Sequence, residues 1–207
     1  CRNSFRNYRY NVNMKIIGVT GSIGCGKTTV CEILEEKYGI PVFNSDKKGS
    51  IIAEYHIKDK MVERFGSHIL KEDGSINRKK VANIVFTFED ERKLLVSWGK
   101  PHLIKMFCEF QSVYKDEKFI IVESALLFEE GLRDLVDEVL TVTTRTENQI
   151  SRVHIRDGRP IEQIKYIIDI QLPQEAKVVL SDHQIGNNST LESLKESVDA
   201  FYNQINE

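Results

Sequence analysis

Eight residues near the amino end of the chain have the composition and spacing of a phosphate-binding loop. Residues 21–28 read GSIGCGKT and match the pattern GxxxxGK[ST] at every position. They follow a β-branched apolar run and precede a helical pattern, which is the setting in which this motif binds phosphate. A turn that only links a strand to a helix rarely carries this lysine and threonine in order, so we interpret the segment as a triphosphate site.

The residue types explain how such a site would work. Glycines let backbone N–H groups point inward around a phosphate, and the start of the following helix adds partial positive charge. Lys27 would reach the β and γ phosphates and Thr28 would bind magnesium, so ATP and Mg²⁺ are the expected cofactors. The residues predicted to bind the nucleotide are Gly21, Gly24, Cys25, Gly26, Lys27, Thr28 and Thr29.

Two acidic residues follow strands whose ends would lie beside this loop. Asp46 comes just after the second predicted strand, where ligands of open parallel sheets bind. A carboxylate there could accept the proton of a hydroxyl during phosphoryl transfer, but Asp46 could equally cap the next helix. Glu123 ends the run 120–122 and could hold the magnesium shell through water, or could be an ordinary strand-end glutamate. Asp46 is therefore the candidate base, and Glu123 is a secondary candidate.

Arg152 and Arg156 are four residues apart and would share one face of a helix. Their repulsion costs roughly a few tenths of a kcal/mol unless an anion lies between them, and a triphosphate is such an anion. We predict that both arginines close over the γ phosphate as part of a lid at about residues 145–172, with Asp157-Gly158 as a hinge. A solvated basic face is the alternative.

The elements that would position these residues alternate between strands and helices. Apolar periodicity predicts strands at 15–20, 40–44, 119–122 and 138–142, helices at 28–38 and 146–157, and a last amphipathic helix from residue 191. A strand, a helix and a second strand within about thirty residues make a βαβ unit, for which a parallel sheet is the default. The predicted fold class is α/β, a P-loop nucleotide-binding sheet flanked by helices.

Between the second and third strands the pattern changes to helical spacing. Residues 47–118 carry apolar groups at helical intervals, interrupted by a turn at 72–75. We predict a helical insertion there, and crossovers of this length are usually functional. The nucleotide-binding core would then consist of residues 14–46 and 119–207. Residues 1–13 lack apolar periodicity, and we expect a disordered extension outside the folded domain.

The bulk composition limits the classes of partner. The 207 residues include 29 basic and 31 acidic side chains, a formal charge of −2, which does not favour nucleic acid or an anionic membrane. We find no apolar run near the roughly 18 residues that span a bilayer and no secretory signal, so we expect a cytoplasmic protein. The four cysteines have no metal-ligand spacing and are interpreted as free thiols.

Several motifs, in a fixed order, resemble the dephospho-CoA kinase family over residues 14–207. Asn44-Ser45-Asp46 resembles the family's Asp-Ala-Asp segment and puts Asp46 at the position of its catalytic aspartate. Inside the insertion, residues 73–78 (DGSINR) and 84–86 (IVF) resemble a block that other P-loop kinases lack. The remaining matches are LLFE at 126–129, Arg152, Arg156-Asp157, Gln171, Asp182 and Asn187.

The resemblance implies an ATP-dependent kinase that phosphorylates the 3′-hydroxyl of the ribose of dephospho-CoA, with CoA and ADP as products. It implies that Asp46, Lys27, Arg152 and Arg156 are catalytic, and that the insertion binds the acceptor. Arg78 is a candidate partner for the acceptor's phosphates. ATP and dephospho-CoA would be the partners, without nucleic acid or membrane, of a monomer or weak homo-oligomer.

Three departures from the family's pattern concern contacts to the acceptor more than the chemistry. Asn44 replaces the commoner first aspartate, Lys100-Pro101 stands in place of His-Pro, and residues 123–125 replace a proline-containing segment. Two other functions stay open: a nucleoside monophosphate or shikimate-like kinase, and a switch that hydrolyses ATP. The acceptor that supports ADP release would separate these alternatives.

One further expectation is peculiar to this chain. Cys25 lies inside the phosphate loop, where inward N–H groups and Lys27 would favour its thiolate. We therefore expect that Cys25 can be alkylated and that alkylation blocks ATP binding.

Overall fold

The computed structural model describes residues 14–207. These residues form two compact units. The first unit consists of residues 14–44 and 111–207, and the second of residues 45–110. The second unit begins and ends somewhat earlier than the insertion predicted at 47–118. The expectation for residues 1–13 lies outside the described residues.

Strands and helices follow one another closely along the chain. The strands are β1 (Lys15–Thr20), β2 (Val42–Asn44), β3 (Phe119–Glu123), β4 (Glu138–Thr143) and β5 (His183–Gly186). The helices are α1 (Lys27–Tyr38), α2 (Ser45–Tyr55), α3 (Lys58–Phe65), α4 (Arg78–Thr87), α5 (Glu89–Val113), α6 (Thr146–Asp157), α7 (Ile161–Ile170), α8 (Gln174–Val179) and α9 (Leu191–Asn206). Short 3₁₀ helices lie at Ser67–Ile69 and Leu132–Leu135.

The first unit is built on a sheet with the strand order β2-β3-β1-β4-β5, in which all the strand pairs are parallel. This arrangement confirms the predicted α/β fold. The central strands are buried along almost their whole length. Burial on both faces explains why they read as continuous apolar runs rather than as alternating patterns. Because the strands are parallel, their carboxyl ends lie at one edge, where β1 leads into the phosphate loop.

Two details differ from the sequence-based prediction. β5 was not predicted, because its four residues HQIG contain a single buried apolar side chain, Ile185, and the strand lies at the sheet edge. The residue types at 146–149 also suit a capping box, with Thr146 as the N-cap, but the structure does not form one. Thr146 is already helical, Arg145 precedes the helix without a side-chain cap, and Asn148 instead donates a hydrogen bond to the hydroxyl of Thr144 (3.2 Å).

The core of the first unit joins the sheet to α1 and α9. Val30 and Leu34 of α1 and Val198 of α9 have no exposed surface and pack with the apolar residues of β1, β3 and β4. Each such side chain contributes about 1.5–3 kcal/mol through burial. The amphipathic helix predicted at the carboxyl end is therefore confirmed. Among the described residues, Cys25, Cys31 and Cys108 are free thiols, as predicted.

The second unit is helical, as predicted for the insertion. It contains α2, α3, α4 and residues 89–110 of α5, packed around the buried side chains Ile52, Ile57, Met61, Ile69, Ile76 and Val81. The predicted turn at 72–75 is present: Gly74 has a φ of 77°, and the Asp73 carboxylate accepts a hydrogen bond from the backbone N–H of Ser75 (2.9 Å). None of the helices within residues 14–207 has the length and apolar character needed to cross a bilayer.

A charged cluster joins three strands at their amino ends, away from the phosphate loop. The carboxylate of Glu138 on β4 lies 2.6 Å from the ammonium of Lys15 on β1 and 2.9 Å from the ring of His183 on β5. Burial by itself would raise the pKa of Glu138. Hydrogen bonds from Lys15 and His183 outweigh burial and hold the pKa below its ordinary value.

We expect Glu138→Gln to lower the free energy of unfolding by roughly 1 kcal/mol near neutral pH, because the paired carboxylate is lost. A carboxylate with a lowered pKa stabilises the fold above its ordinary pKa, and this stabilisation disappears as the pH falls through the lowered value. The difference between wild type and variant should therefore shrink on acidification. Urea unfolding from about pH 7 to about pH 3 tests this. Unequal kcat values for the two proteins at pH 7 would contradict the cluster's separation from the active site.

Candidate active site

The phosphate loop connects β1 to α1 and has a backbone that requires glycine. Gly24 and Gly26 have φ values of 76° and 100°, in the left-handed region that disfavours other residues. A Cβ on Gly24 would lie 2.7 Å from the carbonyl oxygen of Gln149, and a Cβ on Gly26 would collide with the side-chain amide of Asn187. Neighbouring elements therefore pack closely against the loop from outside. Helix α1 begins at Lys27, so the last two residues of the motif are already helical.

Lys27 is held at the loop and not in solvent. Lys27 is only 8% exposed to solvent. Its Nζ donates a long hydrogen bond of 3.4 Å to the carbonyl oxygen of Ser22. An ammonium group has three donors. The contact to Ser22 orients this group inside the loop while leaving donors for a phosphate.

The hydroxyl of Thr28 meets the end of β3. Thr28 Oγ1 donates a hydrogen bond of 2.6 Å to one carboxylate oxygen of Glu123, which is 3% exposed. The side-chain amide of Asn44, at the end of β2, donates to the other oxygen. These contacts bring two predicted metal-site residues together. They also explain why asparagine rather than the family's commoner aspartate suits position 44. The amide of Asn44 donates a hydrogen bond to Glu123, whereas an aspartate would place a second carboxylate beside it.

Arg152 on α6 faces the phosphate loop. α6 packs directly on Gly24 through Gln149 and Val153. The Nη2 of Arg152 donates to the carbonyl oxygen of Asn187 (3.1 Å), whereas its Nη1 is buried and has no hydrogen-bond partner among the described residues. That nitrogen lies 4.0 Å from the position of a Cβ on Gly26. A buried donor without a partner is costly, so its place beside a phosphate loop indicates an anion that completes it.

Arg156 has a different environment from Arg152. Its exposed guanidinium makes two hydrogen bonds to the carboxylate of Asp157, at 2.7 and 2.9 Å. The hydrogen bond from Arg156 is the main cause of the lowered pKa of Asp157. The described structure therefore brings Arg152, but not Arg156, to the phosphate loop.

Gln171, which directly follows α7, makes a hydrogen bond to the phosphate loop. The side-chain oxygen of Gln171 accepts a hydrogen bond from the backbone N–H of Ile23 (2.9 Å). The next residue, Leu172, donates its N–H to Glu129, and the same carboxylate pairs with the ammonium of Lys177 at 2.9 Å. Lys177 was not singled out in the sequence analysis, because an isolated lysine is ordinarily interpreted as a surface residue.

Lys177 is a charged residue with no exposed surface. Its Nζ donates to the carbonyl oxygen of Ala125 (2.7 Å) in addition to its ion pair with Glu129. Burial lowers the pKa of Lys177, and the pairing with Glu129 opposes that shift. The ammonium therefore joins α8 to the turn after β3, a contact between residues far apart in the sequence.

Removal of this ammonium should destabilise the protein strongly. We expect Lys177→Met to lower the free energy of unfolding by about 2–3 kcal/mol, because it leaves the Glu129 carboxylate without its ion-pair partner and the carbonyl oxygen of Ala125 without the lysine donor. The matched control is Lys165→Met, which breaks the exposed pair with Glu162 on α7 and should cost no more than about 0.5 kcal/mol. Urea unfolding measures both. Equal losses in the two variants would contradict the structural role of Lys177.

The expectation of a reactive Cys25 thiol is wrong. Cys25 has no exposed surface, and its side chain packs in the hydrophobic core cluster with residues of the sheet and α1. A reagent would have to open the core to reach the sulfur. Only the backbone of Cys25 belongs to the phosphate loop.

Two predicted site residues lie in the second unit. Asp46 is an exposed residue in the first turn of α2, and because that helix already begins at Ser45, Asp46 is not the residue that precedes it as an N-cap. Arg78 is the exposed first residue of α4, where the side chain of Asn77 caps the helix by accepting from the N–H of Lys80 (3.2 Å). Both side chains are therefore accessible to solutes.

Comparison with known proteins shows which family this chain resembles in sequence and structure. The model of the dephospho-CoA kinase family matches residues 15–193 of the chain. The dephospho-CoA kinase of Fusobacterium nucleatum is 36% identical over 191 residues, which cover 92% of this chain and 98% of that protein. Among solved structures, dephospho-CoA kinase from Campylobacter jejuni has a TM-score of 0.65 at 27% identity, covering 92% of this chain and 96% of its own. TT1252 from Thermus thermophilus has a TM-score of 0.77 at 26% identity, covering 93% and 98%.

Proposed function

Because the chain belongs to the dephospho-CoA kinase family, we propose that the residues around its phosphate loop transfer the γ phosphate of ATP to the 3′-hydroxyl of dephospho-CoA. The products are CoA and ADP. The observation that carries this proposal is the convergence of two cationic side chains, Lys27 and Arg152, on one glycine-rich loop. A triphosphate supplies the negative charge that both need.

Charge neutralisation is the main task of the first unit. The transferred phosphoryl group passes through a loose transition state whose charge is spread over its outer oxygens, so that catalysis consists largely of positioning and electrostatic stabilisation. The ammonium of Lys27 would neutralise charge on the β and γ phosphates. Nη1 of Arg152, which has no hydrogen-bond partner among the described residues, would bind the γ phosphate, and Arg156 would join it by exchanging Asp157 for the nucleotide.

Mg²⁺ fits the residues at the start of α1 and at the end of β3. Among residues 14–207 no cluster of three or more acidic, histidine or cysteine side chains could hold a metal. Mg²⁺ in kinases, however, is bound mainly by substrate phosphates and waters with one or two protein oxygens, which Thr28 and Glu123 provide. When bound, the ion would neutralise charge between the β and γ phosphates. Thr28 would contact it directly and Glu123 through water.

Proton removal and acceptor binding are assigned to the second unit. Asp46 would orient the 3′-hydroxyl and accept its proton as the oxygen bonds to the γ phosphorus and the bond to ADP breaks. Its position two residues after β2 supports this role, because ligands of open parallel sheets bind beyond the carboxyl ends of the strands. The exposed guanidinium of Arg78 would pair with the acceptor's phosphates. The protein is proposed to act as a cytoplasmic monomer or weak homo-oligomer.

The test is an ADP-release assay with Mg-ATP and a panel of acceptors. We expect ADP release to depend on dephospho-CoA and to be negligible with AMP, with shikimate or without an acceptor. Release that is faster with AMP or shikimate would indicate a kinase for a smaller acceptor. Release that does not depend on any acceptor would indicate an ATP-hydrolysing switch.

A further inference from the structure

Asn187 follows β5 directly and makes a hydrogen bond to the phosphate loop from outside. Its side chain is largely buried, and Nδ2 donates to the carbonyl oxygen of Cys25 at 2.9 Å. Cys25 lies between Gly24 and Gly26, so this bond fixes the peptide in the middle of the loop. An amide can make this contact and a carboxylate cannot, because the carbonyl oxygen requires a donor.

The backbone of Asn187 is fixed independently of its side chain. Its N–H donates to the carbonyl oxygen of Thr143 at the end of β4 (2.7 Å). Its carbonyl oxygen accepts from the hydroxyl of Thr144 (2.7 Å) and from Nη2 of Arg152 (3.1 Å). One residue therefore holds the phosphate loop with its side chain and a lid arginine with its backbone.

The spacing at Gly26 shows how closely these groups are packed. A Cβ on Gly26 would overlap Nδ2 of Asn187 and would lie 4.0 Å from Nη1 of Arg152. Nη1 is the buried nitrogen without a partner among the described residues. The side chain of Asn187 thus determines the separation between the loop peptide and the guanidinium that would bind the same phosphate.

We propose that Asn187 is a positioning residue, which sets Arg152 against the phosphate loop so that both meet the γ phosphate in one geometry. The inference rests on the proposed role of Arg152. Misplacement of a charge-stabilising group by about 1 Å can reduce a rate by roughly 10²-fold. The loop keeps its second outside contact, the hydrogen bond from the N–H of Ile23 to Gln171. A change at Asn187 should therefore shift the loop relative to the guanidinium of Arg152 without unfolding the loop.

Two substitutions remove the donor in different ways. Asn187→Leu has a similar volume without hydrogen bonding, and Asn187→Asp keeps the shape but sets an acceptor against the Cys25 carbonyl. We expect each to lower kcat by roughly 10- to 100-fold. The matched control is Asn188→Asp, which adds the same charge one residue away. The Asn188 oxygen accepts a hydrogen bond from the backbone N–H of Arg145 (2.8 Å), which a carboxylate also accepts, so the kcat of this variant should stay within about twofold of wild type.

A double-mutant cycle with Arg152→Ala separates positioning from a general structural role. We expect Asn187→Leu to reduce kcat by less than about threefold in the Arg152→Ala background, because that background has no guanidinium for Asn187 to position. A merely structural role would give the same loss in both backgrounds and would overturn the inference. Wild-type kcat in both Asn187 variants would also overturn it. If Arg152→Ala alone retains wild-type kcat, the proposed role of Arg152 fails, which is a separate result.

Discussion

Replacement of Asp46 by asparagine is expected to lower kcat by about 10²- to 10⁴-fold, the range that general base catalysis contributes. Asparagine keeps the size and hydrogen-bonding reach of the side chain but cannot accept the proton of the attacking hydroxyl. The effect should therefore fall on kcat, with the KM for ATP nearly unchanged. Single-turnover ADP formation with saturating dephospho-CoA measures the chemical step directly.

The matched control for this variant is Asp59→Asn. Asp59 is an exposed acidic residue in the first turn of α3, in the same unit as Asp46, so the chemical change is identical and the helical setting is similar. Its kcat should equal that of the wild type. If Asp46→Asn raised only the KM for dephospho-CoA, Asp46 would be an acceptor-binding residue, and the base would have to be sought elsewhere.

Replacement of Arg152 by alanine is expected to lower kcat by about 10³-fold, at the lower end of what an arginine at a transferring phosphoryl group contributes. Nη1 of Arg152 is buried beside Gly26 and has no hydrogen-bond partner within residues 14–207, so a bound phosphate there would complete its hydrogen bonding. Arg152→Lys should recover only part of the rate, because lysine keeps the charge but lacks the planar fork.

Arg156→Ala provides the comparison on the same helix. Because Arg156 is exposed and paired with Asp157, recruiting it to a phosphate first requires breaking that pair. We therefore expect a smaller loss, about tenfold or less, within the range of exposed charge interactions. A loss for Arg156→Ala as large as that for Arg152→Ala would show that the lid rearranges on nucleotide binding and that both arginines act together.

The parts of the site that could be predicted from the sequence are those formed by residues adjacent to one another along the chain. The phosphate loop is a local motif, and the fixed order of strand, loop and helix placed Lys27 and Thr28 correctly at the start of α1. The pairing of Thr28 with Glu123 could be anticipated only as a possibility, because it depends on β1 and β3 being neighbours in the sheet.

The parts that were not predictable depend on long-range packing. Asn187 was identified only as a match to the family's pattern, without its contact to the phosphate loop, and Lys177 was not identified at all. Both contact residues that are distant in the sequence. β5 is short and polar, and it is part of the sheet through its parallel pairing with β4. The expectation for Cys25 was wrong because its side chain packs in the hydrophobic core and has no exposed surface. The orientation of one side chain cannot be derived from the motif.

The hydrogen bond from Asn44 to Glu123 predicts that the effects of substitutions at these two positions are coupled. A single change of Asn44 to the family's commoner aspartate would place two carboxylates in contact, and one of them would have to take up a proton or turn away. Such an intermediate would be impaired, so the exchange is expected only after, or together with, a change around position 123. Across related kinases, residues at 44 and 123–125 should therefore vary as a set. A chimaera that transplants position 44 alone should be less active than one that transplants the set.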